Sequence, residues 1–207
     1  MSDPCAAECC ALDALERRQK RTLKAVLAVN AGMFVVELSA GLIAGSSALL
    51  ADSLDMLGDA LAYGVTLYAV GRGLLWKARA ALFKGVLMWA FGLFVLVDAT
   101  YKAVSGGVPH YETMGIVGLV ALLANALCLG LLWRHRSDDL NMRSVWLCSR
   151  NDILANVAVI VAAALVYASR SVWPDVVVGL GIAILFLRSA TGVTVDASRA
   201  LRQHPAS

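Results

Sequence analysis

The sequence predicts an all-α, polytopic membrane protein with six transmembrane helices and both termini in the cytoplasm. Three observations lead there. Of the 207 residues, 59% are hydrophobic and 16% charged, against roughly 45–50% and 25% in a soluble domain, and the mean hydropathy is +0.72. Six apolar stretches are long enough to cross a hydrocarbon core about 30 Å thick, which takes about 20 helical residues. Lysines and arginines fall almost entirely on one side of the resulting hairpins, the side that cytoplasmic loops occupy. A net charge of +3 with no basic soluble face gives nucleic acid nothing to bind.

The first stretch covers residues 23 to 43, follows Arg17, Arg18, Lys20, Arg21 and Lys24, and holds Glu37 in its interior. Its length, and a second stretch beginning after only Gly45-Ser46-Ser47, set it apart from a cleaved signal peptide. That second stretch spans residues 48 to 70. Arg72, Lys77, Arg79 and Lys84 surround the entry to the third, 81 to 104, which breaks at Gly106-Gly107-Val108-Pro109 before the fourth, 113 to 133. Arg134, Arg136 and Arg143 lead into the fifth, 142 to 168. The break at Trp173-Pro174-Asp175 belongs to the sixth, 172 to 192, after which come Arg199 and Arg202, with Arg188 near its end. Of the 18 basic residues, Lys102 and Arg170 lie on the other side and Arg150 lies within a span. Residues 23–192 thus read as a single transmembrane domain, between a cytoplasmic tail at 1–22 and a tail at 193–207 too short to fold alone. The five cysteines are odd in number, and Cys128 and Cys148 sit in apolar runs, so they read as thiols rather than a disulfide framework.

Asp52, Asp55 and Asp59 interrupt the second span, where a carboxylate costs at least about 2.5–3.5 kcal/mol unless it faces a cavity, a partner or an ion. At about 100° per residue, Asp55 and Asp59 lie roughly 40° apart and Asp52 about 20° beyond Asp59. Tyr63 and Thr66 extend this polar seam. The fifth span repeats the pattern with Asn141, Ser144, Cys148, Asp152 and Asn156 at spacings of three and four. Counted at 1.5 Å per residue from the cytoplasmic ends, Asp59 lies at about 16 Å, Cys148 about 9 Å, Asp55 about 22 Å and Asp152 about 15 Å. The order of the two pairs agrees, Asp59 with Cys148 and Asp55 with Asp152, with a constant offset of about 7 Å for tilt and uncertain span ends to absorb. Three carboxylates and a thiolate would supply four ligands to one divalent cation, the number Zn²⁺ favours, and a fully ligated ion suits carriage better than catalysis.

These features resemble the cation diffusion facilitator family of divalent-metal/proton antiporters. The resemblance rests on "SSALLADSLDMLGD" in the second span, "CSRND" in the fifth, "WPDVVVGLGIA" opening the sixth, and Asn30 with Glu37 in the first. The family places a His or Asp four residues before an Asp on the second helix and a metal ligand, usually His, four before an Asp on the fifth. Carried over, its metal site is Asp55, Asp59, Cys148 and Asp152, with Cys148 where the family usually has His. Two more departures stand out: few residues follow the sixth span where the family carries a soluble metal-binding domain, and the link "RHRSDDLNMR" has only His135 where zinc transporters are His-rich. The resemblance implies a homodimer in a lipid bilayer, expected to be the bacterial inner membrane. It also implies helices that rock between inward-open and outward-open states and export a metal ion in exchange for protons.

A physical reason for coupling lies in the ligands themselves, since carboxylates and thiols bind metal only when deprotonated. Oxygen ligands plus a thiolate disfavour Mg²⁺ and Ca²⁺, so the expected cargo is Zn²⁺ or Cd²⁺, with Hg²⁺ and Pb²⁺ as softer candidates and no prosthetic group. Cys5, Cys9 and Cys10, on the reducing side, form a candidate recruitment site for soft ions. Asp52 and Glu37 are candidates for a proton or exit path, with a helix-start hydrogen bond as the plainer role for Asp52 and a pairing with Arg150 as the other role for Glu37. Arg150 itself is expected to snorkel, and Asp98 with Lys102 reads as a helical ion pair. An enzyme is not expected: there is no Ser/His/Asp set, HExxH or phosphate-binding glycine loop, and His110, His135 and His204 fall in loops or the tail. The remaining alternative is a non-transporting metal-binding partner or sensor in a hetero-oligomer.

Overall fold

In the computed structural model, the described backbone comprises residues 4–69, 74–133 and 140–203, and the described side chains are those of 20–64, 67, 78–133 and 152–202. All regular structure among these residues is helical: α1 (Pro4–Ala44), α2 (Ser47–Ala69), α3 (Leu74–Ser105), α4 (Tyr111–Trp133), α5 (Leu140–Ser169) and α6 (Trp173–Gln203). α1 and α6 outrun their apolar stretches by the most, and α3 begins seven residues before its own. α1 begins at Pro4, a residue suited to a helix's first turn, and continues through Ala-, Glu-, Leu- and Arg-rich sequence that favours helix. α6 continues past residue 192 because no Pro intervenes before Gln203. Thr194 and Ser198 there return their hydroxyls to the carbonyls of Ala190 and Thr194 at 2.7 Å each.

The three short connections meet at one end of the bundle, opposite the termini. The His110 amide donates to the Ala44 carbonyl at 3.0 Å, and the Arg170 guanidinium lies 5.2 Å from the ring centroids of both Tyr111 and Tyr167. Gly45 and Gly106 stop α1 and α3 in the left-handed region, at φ 64° and 75°. Arg170 does the same for α5 at φ 52°, placing that break just before Trp173.

Polarity is inverted relative to a soluble protein. Asn30, Glu37, Asp52, Asn125, Asp152, Asn156 and Asp175 are buried, whereas Ile43, Phe83, Val104, Ile116 and Leu165 are more than half exposed. Large apolar side chains facing outward over the whole circumference need a hydrocarbon surround. Among the described residues, α1 and α3 to α6 each contain a stretch long and apolar enough to cross a membrane. α2 falls short because it carries three aspartates in 23 residues. The molecule is a helical integral membrane protein, and α2 packs against α1, α3, α5 and α6 in its interior.

The beginning of α2 sits deep in the bundle: Ser46 through Leu54 are each at most 1% exposed. A helix start leaves four amides without intrahelical partners, and buried orphans are costly. Here the local chemistry accounts for each. Ser46 acts as N-cap, its own amide donating to the Gly41 carbonyl at 2.9 Å and its hydroxyl oxygen accepting the Leu49 amide at 3.1 Å. Asp175 of α6 takes the rest, accepting the Ser47 amide (2.8 Å), the Ala48 amide (3.0 Å) and the Ser46 hydroxyl (2.6 Å). Nearby, Asp98 of α3 accepts both the Ser47 hydroxyl (2.8 Å) and the Lys102 ammonium (2.6 Å), so the expected helical pair also reaches α2.

Close approach of α6 to this helix start depends on Gly179, where an added Cβ would lie 2.8 Å from the Ser47 carbonyl carbon. Backbone on the far side cannot rotate away as a side chain can. Gly179→Ala should therefore lower the apparent melting temperature in detergent micelles, by the equivalent of about 1–3 kcal/mol. Gly192→Ala on the same helix, where a Cβ meets nothing within 4 Å, should stay within about 0.5 kcal/mol of the parent.

Candidate metal centre

α2 is helical along its whole length because Ala, Leu and Met outnumber its acids and because Asp175 completes its start. Helical periodicity then carries Asp55 and Asp59 onto one flank, where they meet Asp152 of α5. All three carboxylates line a single cavity of about 930 Å³, together with Lys84 of α3 and an apolar wall that includes Leu154, Ile182 and Phe186. The cavity lies between α2, α3, α5 and α6. Gly58, also on its wall, faces the Phe186 ring, which a Cβ would touch at 3.0 Å.

The Tyr63 hydroxyl donates to Asp59 Oδ2 at 2.6 Å, so the seam's fourth member is engaged with its third. Asp59 acts on Asp152 more strongly than Asp55 does, and Asp55 more strongly than Asp52. Asp152 faces Asp59 and Asp55 together across the cavity.

Cys148 lies on α5, one turn nearer the termini than Asp152, and its side chain falls outside the described residues, as do those of Cys5, Cys9 and Cys10. Among the described residues, no three His, Cys, Asp or Glu side chains are arranged to hold a metal ion as they stand. Cys128, whose side chain is described, is a free buried thiol.

Asp52, on the same stripe one turn nearer the start of α2, belongs to a second polar group. Asn156 of α5 donates to Asp52 Oδ2 at 2.8 Å, and Asn125 of α4 donates to Asn156 Oδ1 at 3.0 Å. Ser46 and Asp175 satisfy the helix start without Asp52, so the plainer role is not the one it fills. Glu37 is fully buried on α1, and neither carboxylate oxygen has a hydrogen-bond partner. Its strongest electrostatic neighbour is Asp52, followed by Asp55 and Asp152. Asp52 Oδ1, Asn125 Oδ1 and Asn30 Oδ1 are likewise unpartnered, and every one of these orphans is an acceptor. The side chain of Arg150, the other partner considered for Glu37, lies outside the described residues.

Sequence reasoning missed Asn125 and Lys84. A lone amide in the apolar run of α4 could have been the signal, because a buried amide in hydrocarbon needs a partner. Lys84 was grouped with the flanking positive charges that set orientation, and nothing local separates a cavity lysine from those.

An integral membrane bundle that turns carboxylates onto an internal cavity and hydrocarbon side chains outward is the class these features define. Residues 23–73 and 76–201 match the cation efflux transmembrane domain, and the chain belongs to that family, the cation diffusion facilitators. It is 25% identical over 198 residues to the metal cation efflux system protein CzcD of Cupriavidus metallidurans, covering 86% of this chain and 62% of that protein. It is 25% identical over 204 residues to the cadmium, cobalt and zinc/H(+)-K(+) antiporter of Bacillus subtilis (91% and 65%). To the zinc transporter ZitB of Escherichia coli it is 29% identical over 200 residues (87% and 62%). The chain thus spans less than two thirds of the length of these relatives.

Asn156 joins two buried groups that have no water to turn to. Asn156→Leu, with the same number and branching of heavy atoms, should strand the Asn125 amide and one Asp52 oxygen and cost about 1–3 kcal/mol, measured as a lowered apparent melting temperature in micelles.

Proposed function

We propose that this protein exports a divalent transition or heavy metal ion, Zn²⁺ or Cd²⁺, from the cytoplasm in exchange for protons. In this reading all six helices span the bacterial inner membrane with both termini cytoplasmic, and the protein works as a homodimer by alternating access. The observation that carries it is the convergence of Asp55, Asp59 and Asp152 on one cavity in a chain of this family. Support for the cargo comes from the names of the relatives, which specify zinc for the E. coli protein and cadmium, cobalt and zinc with protons and potassium for the B. subtilis one.

The metal is the substrate, and the proposed ligands are Asp55, Asp59, Asp152 and Cys148. For four-coordinate binding the carboxylates would turn from their present partners, Asp59 from Tyr63, toward the ion, and Cys148 would enter as thiolate from one turn below Asp152. Each ligand must give up its proton to bind, so protons arriving at the same oxygens expel the metal. The unpartnered acceptors of Glu37 and Asp52 support a proton-path role for these two, since a buried carboxylate with no donor is a place where a proton gains most. Cys5, Cys9 and Cys10 are proposed to collect soft ions at the cytoplasmic face.

The test is proteoliposome flux of the purified full chain across a metal panel. Zn²⁺ or Cd²⁺ should move down a gradient with counter-movement of protons, and Asp55→Ala, Asp59→Ala or Asp152→Ala should each reduce flux more than about tenfold. Normal flux in those variants would sink the ligand assignment; no flux with metal still bound would support the partner or sensor reading instead. In the same assay, Cys148→His should weaken Cd²⁺ relative to Zn²⁺, and an unchanged ratio would remove the thiolate. Glu37→Gln should bind metal but lose proton counter-movement, and intact coupling would remove Glu37 from the path. Deleting residues 2–10 should lower cellular metal tolerance at low concentrations; unaltered tolerance at every concentration would mean the tail cysteines are incidental.

A further inference from the structure

The cavity that collects Asp55, Asp59 and Asp152 has a fourth charged residue in its lining, and it is basic. Lys84 extends from α3 into the same space, and its charge acts on the Asp59 carboxylate. The position is held by the backbone around it. A Cβ on the adjacent Gly85 would collide with the Thr194 hydroxyl of α6, so α3 lies directly against α6 at this level, and the lysine stem starts from a fixed edge of the cavity. A similar close approach recurs two turns on, where a Cβ on Gly92 would come within 2.6 Å of Leu187. The ammonium is a compact charge on a flexible four-carbon stem, able to sit among carboxylates or withdraw along the cavity wall as occupancy changes.

Building on the proposed metal seam, we propose that Lys84 is its tethered cation. The ammonium neutralises part of the carboxylate charge when the seam holds no metal, and competes with a divalent ion for the same oxygens when one arrives. Three carboxylates lining one cavity in a low-dielectric bundle repel one another strongly, and a covalently attached cation is the one counter-charge that diffusion cannot remove. A seam of three carboxylates and a thiolate would otherwise hold a soft divalent ion tightly, which suits storage and opposes release. Lys84 shifts the balance toward release, acting as a positioning and affinity-setting residue rather than a ligand.

The experiment compares direct Zn²⁺ and Co²⁺ binding, by calorimetry on the full chain in detergent, with Zn²⁺ flux in proteoliposomes for wild type, Lys84→Met and Lys84→Arg. Lys84→Met should bind both ions about tenfold more tightly, because a nearby positive charge has been removed from a low-dielectric site, and should turn over more slowly at saturating Zn²⁺. Lys84→Arg, which keeps the charge, should bind within about twofold of wild type. Its metal-free form should also melt at a higher temperature than metal-free Lys84→Met. Unchanged or weaker binding in Lys84→Met, or an arginine variant that behaves like the methionine one, would overturn the role given to Lys84. A wild-type chain that binds neither ion would overturn the metal seam itself, a result distinguishable from the first. Should Lys84→Met fail to fold, Lys84→Gln carries the same comparison.

Discussion

The carboxylate of Asp175 holds the buried start of α2, and most of what is distinctive in this bundle depends on that contact. One side chain from α6 takes two backbone amides and a serine hydroxyl, which permits α2 to begin beneath the surface rather than at it. Depth follows from this. With its first turns enclosed, α2 delivers Asp55 and Asp59 to the cavity it shares with α3, α5 and α6, and Asp52 to Asn156 of α5. Gly179 lets the two backbones meet at the distance the contact requires. Without the clasp, the start of α2 would need water, and the aspartates one to three turns on would be carried with it.

Two polar territories result, at successive levels along one stripe of α2. Toward α5 and α6 lie the carboxylates around the cavity, with Tyr63 and Lys84 attending them. Toward α1 and α4 lies the amide chain from Asn125 through Asn156 to Asp52, with Glu37 close by. The first has space and mixed charge; the second is closely packed and short of donors. A low dielectric makes both electrostatically strong, and since Asp52 and Asp55 belong to consecutive turns of α2, charge gained in one territory is felt in the other.

Much of this was legible in the sequence wherever a relation stays within one helix. The polar stripe of Asp55, Asp59 and Tyr63 follows from periodicity alone and reappears as a side-chain contact, and Asp98 with Lys102 was readable at spacing four. Helix number and the apolar exterior followed from composition. Relations between helices were less accessible. The level at which Asp152 meets α2 depends on how deep α2 starts, which depends on Asp175, which the sequence displays only as part of a turn. Lys84 looks like any juxtamembrane lysine until α3 is placed against α6, and Asn125 has a partner only once α4 and α5 are paired. The ligand role of Cys148 remains a reading of spacing and family pattern.

The three aspartates of α2 bear on biogenesis as well. Each costs at least about 2.5–3.5 kcal/mol at the centre of a lone hydrophobic helix, so the segment is a poor candidate to partition into lipid unaided. If α2 crosses the bilayer as proposed, it enters as the second arm of a hairpin whose first arm, α1, is apolar enough to lead, and whose bend at Gly45 is already tight. Lasting shelter for its acids comes only when α5 and α6 arrive, at Leu140 and Trp173, long after α2 has ended at Ala69. Until then the nascent protein holds its future transport machinery in an unfinished interior.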